Sequence, residues 1–251
     1  MSGGVAPGAV DVPSAWTCWA RRVAHLLLIL IALAACTRTH DYGPTTVAAR
    51  PAETARILLM PPDIELYLLT ASGLVEPRAD WTAAAKDHVG SALDDLIGAR
   101  DANLIAYQPP QGDLERERQH TQLVKLHEAV GNSILLHQHS GFAQLPGKKG
   151  QFDWTLGTEA AALQRDFGAD YALFVFLRDS YSSAGRTAMI IGMAVLGIGM
   201  PGGQQQGFAS LVDLKTGDIV WFNVLFSETL DLREREPARK SIETLLEGIP
   251  L

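Results

Sequence analysis

The sequence predicts an α+β protein (an α/β sandwich): a single domain in which a mixed sheet of about five strands is covered by helices. Three observations predict this class. Short apolar runs that end at proline or glycine alternate with segments of helical period in the first half of the chain. The run YALFVFL is apolar on both faces, as in a central strand. Two strand-like runs near the C-terminus flank a short polar turn, which predicts a hairpin.

The elements of the first half follow from local pattern. Residues 57–60 (ILLM) are stopped by a proline pair and predict a buried strand, and 64–70 (IELYLLT) predict a second extended piece. In 80–98, apolar residues recur at spacings of three and four, which predicts a helix with one apolar face. Residues 103–107 (NLIAY) predict a strand, and 113–137 predict a longer helix that begins with charged residues. Strand and helix therefore alternate here.

The second half is predicted to contain a meander. Residues 159–167 (EAAALQRDF) predict an alanine-rich helix that glycine ends, and 171–177 the central strand. Residues 208–214 and 219–226 predict a hairpin with glycine in its loop. Residues 237–247 predict a final helix with proline at or near its first position. Early alternation followed by a meander favours a mixed sheet.

Charge and cysteine content exclude several classes of protein. The chain has 251 residues, a formal net charge of −7 and a pI near 5.5. A nucleic-acid-binding domain would carry a basic footprint, which is missing from this composition. Cys18 and Cys36 are the only cysteines, and both precede the predicted domain, so neither a disulfide framework nor a CxxC motif exists.

The N-terminal segment has the layout of a secretory signal. Arg21 and Arg22 precede residues 23–35, which are almost wholly apolar. This run of about 13 residues is short for a bilayer core, which needs roughly 20, so a transmembrane span is the weaker interpretation. Twin-arginine export is a further alternative. We expect residues 1–35 to be a signal peptide.

The end of this run resembles a bacterial lipobox. Residues 33–36 read LAAC: an aliphatic residue, two small residues, and the cysteine that the family acylates. The alternative is an ordinary cleavage site beside an incidental Cys36. The resemblance implies a lipid on Cys36, and Thr37 in the next position implies delivery to the outer membrane. Residues 36–55 are then predicted to be a flexible tether, and 56–251 a periplasmic domain.

Two further runs carry a resemblance in the body of the chain. Residues 167–174 (FGADYALF) place a helix end before the central strand, and 209–221 (ASLVDLKTGDIVW) form the predicted hairpin. Together they resemble envelope lipoproteins of the curli-secretion-channel type, the N-terminal domain of the Tol-system propeller protein, and lipoprotein activators of penicillin-binding proteins. The resemblance implies an assembly or scaffold role without catalytic residues. A pore is not implied, because 187–200 lacks the alternation of amphipathic hairpins.

Residues 187–200 (TAMIIGMAVLGIGM) form an unusual glycine-spaced apolar segment. One interpretation is an element that touches a membrane or self-associates, since small residues allow close approach of backbones. The other is a buried strand or helix with a glycine-rich exit loop. The segment is too short to span a bilayer. Its glycines match the bare G-x-G-x-x-G spacing, but a proline lies inside the match and no helix is predicted to follow it.

No convincing catalytic or metal-binding motif is found, so we expect neither an enzyme nor a resident cofactor or metal. His137 and His139, with His127 upstream, are too few for a typical zinc site. The serines lack a G-x-S-x-G elbow. What stands out is a polar and aromatic loop predicted after the central strand, as a partner-binding or ligand-binding edge; its residues are Arg178, Asp179, Tyr181 and Arg186.

These features together predict a non-enzymatic lipoprotein on the periplasmic face of the outer membrane. Its partners would be the membrane, through the lipid on Cys36, and another envelope protein, with self-association left open and nucleic acid excluded. The alternative is a periplasmic small-ligand binder or hydrolase that uses the loop from Arg178 to Arg186.

Overall fold

The structure confirms the predicted α+β fold class: helices cover both faces of an open mixed sheet. It is a computed structural model that describes residues 37–42, 55–98, 103–140, 143–148 and 150–250. The predicted signal peptide, the lipobox and Cys36 lie outside the described residues. The sheet has eight strands where about five were predicted. The difference comes mainly from two short edge strands without an apolar pattern.

The sheet is built around one long strand. In chain order the strands are β1 Thr37–Tyr42, β2 Arg56–Leu59, β3 Asp63–Leu69, β4 Val75–Pro77, β5 Asn103–Ala106, β6 Tyr171–Ser182, β7 Gln205–Asp213 and β8 Ile219–Ser227. Across the sheet the order is β1-β8-β7-β6-β2-β5, and β3 joins β6 while carrying β4 at its other edge. The pairs β1–β8, β8–β7, β7–β6 and β3–β4 are antiparallel. The pairs β6–β2, β6–β3 and β2–β5 are parallel.

Two consecutive strands share one side of β6. Strand β2 pairs with its first part, with Leu59 opposite Leu173, and β3 pairs with its second part, with Leu69 opposite Ser182. The proline pair 61–62 lies between them, where the missing amide donors interrupt the ladder. The apolar run of β6 predicted its central place, which the structure confirms, and pairing extends it to Ser182.

Helices α1 (Ala79–Gly98) and α5 (Arg235–Leu245) cover the first face of the sheet. The odd-numbered residues of β6, such as Leu173 and Leu177, point into this layer. The last helix begins two residues before the predicted proline, which therefore occupies its third position. That position is still in the first turn, where a backbone N–H has no acceptor within the helix, so proline loses no hydrogen bond there.

Helices α2 (Leu114–Ile134) and α3 (Ala161–Phe167) cover the second face. A π-helical turn, Leu135–His139, continues α2. Gly131 lets α2 approach β7, because a Cβ there would lie 2.1 Å from the ring of Phe208. Gly168 ends α3 in the left-handed conformation at φ 62°, as predicted. The two layers give separate apolar cores on the two faces of the sheet.

Part of the predicted flexible tether is a strand. Residues Thr37–Tyr42 form β1, which pairs antiparallel with β8 from Thr37 opposite Ser227 to Tyr42 opposite Phe222. The tether was predicted from the missing apolar period. The strand is held by backbone hydrogen bonds to the edge of β8, and such pairing requires no apolar pattern in the sequence.

Candidate functional site

The predicted loop from Arg178 to Arg186 is wrong as a loop. Arg178, Asp179 and Tyr181 lie within β6, and Arg186 lies in the first turn of helix α4 (Ala184–Val195). Neighbouring residues of a strand point to opposite faces, so the sheet separates Arg178 from Asp179 and Tyr181. The four residues therefore do not form one site.

Arg178 lies on the second face, held by acidic residues. Its Nη1 is 3.1 Å from Asp63 Oδ1, its Nη2 is 3.3 Å from Glu128 Oε1, and its guanidinium stacks over Phe176 at 4.0 Å. Partial burial opposes ionisation of Asp63, but Arg178 and Lys125 outweigh it and keep the pKa of that carboxyl below its usual value. Arg178 thus links β6 to β3 and to α2 through ion pairs, which is a structural role.

Asp179 is a buried carboxyl on the first face. It is 2% exposed, and it accepts hydrogen bonds from Tyr181 Oη and from Gln205 Nε2, the latter at 3.3 Å. Gln205 in turn accepts from Ser241 Oγ of α5 at 3.0 Å. Burial raises the pKa of Asp179 to about 7, against the opposing effect of the Tyr181 hydrogen bond. A carboxyl in this state can gain or lose a proton near neutral pH.

Tyr181 ties this carboxyl to the segment before α5. Its Oη accepts from the backbone N–H of Leu232 at 2.9 Å, and Arg233 lies 3.7 Å above its ring. Arg233 is held in turn by Asp231, with Nη2 to Oδ2 at 2.7 Å. Burial and the neighbouring Asp179 raise the pKa of Tyr181, which stays protonated. The ring of Trp81 packs edge-on at 5.5 Å.

A polar cleft of about 290 Å³ opens beside this network. Its walls come from the end of β6, the start of α4, the start of β7 and the segment after β8. Its lining includes Asp179, Tyr181, Thr187, Gln205 and Arg233. The cleft therefore lies at one end of the sheet, between the start of α4 and the segment that precedes α5, and it combines a cation with a carboxyl of raised pKa.

Arg186 makes its hydrogen bonds outside this network. Its backbone N–H is capped by Ser183 Oγ at 3.2 Å, and its Nη2 donates to the carbonyl of Pro201 at 2.9 Å. It therefore ties the start of α4 to the glycine-rich segment that returns to β7. Its role here is to position the segment after the helix.

The three histidines considered as metal ligands lie apart. His127 is buried in α2, bonded to Ser210 Oγ at 2.7 Å and stacked on Phe174, and burial lowers its pKa to about 3. His137 bonds the carbonyl of Ala143, and His139 stacks on Phe226. Within the described ranges, no group of three or more His, Cys, Asp or Glu side chains could hold a metal ion.

A second cleft, of about 330 Å³, lies on the other face near the ends of β2 and β5. His120 lines it, buried to 1% exposure, with Nε2 2.9 Å from Asp166 and Nδ1 3.1 Å from the hydroxyl of Tyr107. Both ring nitrogens are thus used within the protein. The arrangement fixes the imidazole between α2, α3 and β5 and leaves it without a free nitrogen for chemistry.

Helix α4 is the most unusual surface of the domain. The alternative that residues 187–200 are core is wrong, because no residue of the helix is buried. Large apolar side chains point into solvent: Ile191 is 62% exposed, Val195 82%, Leu196 72% and Ile198 47%. In the sequence, no charged residue occurs between Arg186 and Asp213. None of the helices in the described residues is long and apolar enough to cross a membrane.

Several residues of the cleft and of the contacts around Tyr181 were missed by sequence reasoning. Gln205, Asp231 and Arg233 reach Asp179 and Tyr181 only through the tertiary fold, and no local motif marks them. Trp81 lies within 80–98, where the apolar spacing predicted a helix but no contact with Tyr181. The one available signal was the polar end of an otherwise apolar strand at Arg178 and Asp179.

Comparisons with known proteins give weak similarities only. No family model matches the chain, and no curated protein matches it. Among solved structures, a PelC dodecamer from Paraburkholderia phytofirmans is 11% identical, with a TM-score of 0.37 over 84% of this chain and 94% of that chain. The C-terminal domain of LpoB from Salmonella enterica is 13% identical, with a TM-score of 0.27 over 74% and 88%.

Proposed function

We propose that the protein is a lipoprotein anchored through Cys36 on the periplasmic face of the outer membrane. In this proposal its domain is a non-enzymatic assembly or scaffold part of the cell envelope. The anchor is supported by the sequence: two arginines, a short apolar run and LAAC in succession. Several acyl chains on one cysteine would suffice for stable anchoring, where a single chain is marginal.

The exposed apolar surface of α4 is the observation that carries the binding role. Full burial of a Val, Leu or Ile side chain is worth about 1.5–3 kcal/mol, and the side chains of Ile191, Val195 and Leu196 forgo most of this in the isolated domain. A contiguous apolar patch of this kind on a folded domain marks an interaction surface. We infer that another component of the envelope covers α4.

Cys36→Ala tests the anchor. Cells that express the wild type should incorporate labelled palmitate into it, and the protein should fractionate with the outer membrane. The variant should take up no label. Label in the variant, or a wild type recovered in the soluble periplasmic fraction, would contradict the proposal.

Site-specific photocrosslinking tests the binding role. A photoreactive amino acid at Val195 should give adducts with envelope material in whole cells. The same amino acid at Glu236, an exposed position of α5, is the matched control and should give far fewer. Equal adduct yields at the two positions would show that α4 is no special surface.

A small-ligand binder is the second candidate, and the cleft beside Asp179 favours it. A buried carboxyl with a pKa near neutrality beside Arg233 could bind a small polar molecule. Under this alternative, Asp179→Asn would abolish the thermal stabilisation that periplasmic extract metabolites give to the wild type. If no metabolite stabilises the wild type, the alternative fails.

A further inference from the structure

The register of the sheet brings the start of the domain to the same end as α4. Thr37 lies opposite Ser227 of β8, Ser227 lies opposite Gln205 of β7, and Gln205 lies opposite Asp179 of β6. Helix α4 begins just after β6 ends and returns to Gln205. Three strand spacings separate β1 from β6, which amounts to about 14 Å. Residue 36, the predicted lipid attachment point, directly precedes Thr37.

After Thr187 in its first turn, helix α4 has no polar side chain and so no side suited to water. The inner side, with Met189, Ile190 and Met193, is partly covered by the domain. The outer side, with Ala188, Ile191 and Val195, is exposed and equally apolar. A helix that is apolar all round belongs in a protein core or in lipid. Since the domain covers only the inner side, burial of the outer side requires another apolar environment outside the domain.

We propose that the outer side of α4 and the segment that follows it rest in the surface of the same bilayer that holds the lipid on Cys36. This inference rests on the proposed lipid anchor and names what covers α4. The helix has 12 residues, too few for a span, so it would lie along the membrane rather than cross it. Anchor and helix then form two adjacent attachment points at one end of the sheet.

A lipid surface fits this face better than a protein partner does. From Thr187 to the middle of β7 the chain offers no charge with which to select a protein, and charged rims commonly give such selection. Glu228, which is exposed at the same end, would repel anionic headgroups rather than attract them. Contact should therefore depend on the acyl chains and should not require anionic lipid.

Fluorescence quenching by lipid tests the contact. Cys18 is removed with the signal peptide and Cys36 is acylated, so Val195→Cys would carry the sole free thiol of the mature lipoprotein. The full lipoprotein, labelled there with a polarity-sensitive dye, is reconstituted into phosphatidylcholine vesicles with and without brominated acyl chains. Lys215→Cys, in the exposed turn at the opposite end of the sheet, is the matched control.

We expect both labelled proteins to float with the vesicles, and brominated chains to quench the dye at position 195 about twofold while sparing the dye at 215. If both proteins float and neither dye is quenched, the bilayer contact of α4 is wrong while the anchor stands. A dye at 195 that is shielded from water but not quenched would mean that protein covers the helix, which also overturns the inference. If neither protein floats, the lipid anchor itself fails, and the inference fails with it.

Discussion

Helices α4 and α5 have 12 and 11 residues, yet they meet solvent in opposite ways. Helix α5 buries Ala238, Ser241, Ile242 and Leu245 on one side. It turns its charges outward, including the pair of Arg239 and Glu243 at 2.6 Å. Helix α4 buries none of its residues and carries one charged residue, near its start.

Apolar content alone therefore does not determine which residues form the core. In α5, spacings of three and four separate an apolar side from a charged side, which is the pattern of a helix between core and water. In α4 apolar residues occur on both sides. The domain partly covers one side and leaves the apolar residues of the other side exposed to water. The helix with the less hydrophobic sequence is the one that stabilises the isolated domain.

The largest expected effect comes from truncating α5. Ile242 is fully buried between α1 and the sheet, so Ile242→Ala should lower the free energy of unfolding by about 2–5 kcal/mol. Urea denaturation of the purified protein measures this loss. A loss below about 1 kcal/mol would mean that α5 is packed as loosely as α4, which would contradict the difference between the two helices.

The buried carboxyl beside the polar cleft should give a pH effect. Because burial raises the folded-state pKa of Asp179 above its unfolded value of about 3.8, the folded state holds the proton more tightly. This contribution to stability is full below pH about 4 and is lost as the pH rises toward about 7. Over that window the wild type should lose up to about 1.4 kcal/mol per pH unit relative to Asp179→Asn, measured by denaturation. Parallel pH curves for the two proteins would contradict this.

Removing one polar contact of α5 should have a smaller effect. Ser241 Oγ donates to the buried Gln205 side chain, so Ser241→Ala leaves that amide oxygen without this donor. We expect a loss of about 1–2 kcal/mol in the free energy of unfolding. Thr244→Ala, which removes a hydroxyl bond on the exposed side of the same helix, is the control and should cost less. Equal losses would show that burial of the bond is unimportant.

The smallest effect is expected on α4. Ile191→Ala is the same chemical change as Ile242→Ala, made at a site that is 62% exposed. The free energy of unfolding should change by less than about 0.5 kcal/mol, because little packing is lost. Denaturation of the two isoleucine variants side by side gives the comparison directly. A loss on α4 close to that on α5 would mean that the helix is covered in solution.

The sequence predicted those elements whose pattern is local. Strand β6 was predicted from an apolar run on both faces, and α1 from apolar spacings of three and four, because burial leaves such a pattern in the sequence. Strand β1 left no trace, since its order comes from backbone pairing with β8, far away in the chain. The exposure of α4 could not be predicted either, because an apolar sequence is equally consistent with burial in the core of the domain and with contact to something outside it.

The candidate site was predictable only at its edge. Arg178 and Asp179 were noticed as polar residues at the end of an apolar strand, but periodicity could not show that the strand continues through them. Their separation onto two faces follows from that continuation. The contact of Arg233 with Tyr181 joins residues far apart in sequence, which requires the path of the chain after β8.

The antiparallel pairing of β1 with β8 has a mechanical consequence. Whatever holds the chain before Thr37, a pull along the axis of β1 strains the hydrogen bonds of all its pairs together, from Thr37 opposite Ser227 to Tyr42 opposite Phe222. Such shear loading resists extraction far better than peeling the bonds apart one at a time. Tension applied before Thr37 is therefore transmitted directly to the sheet through the pairing of β1 with β8.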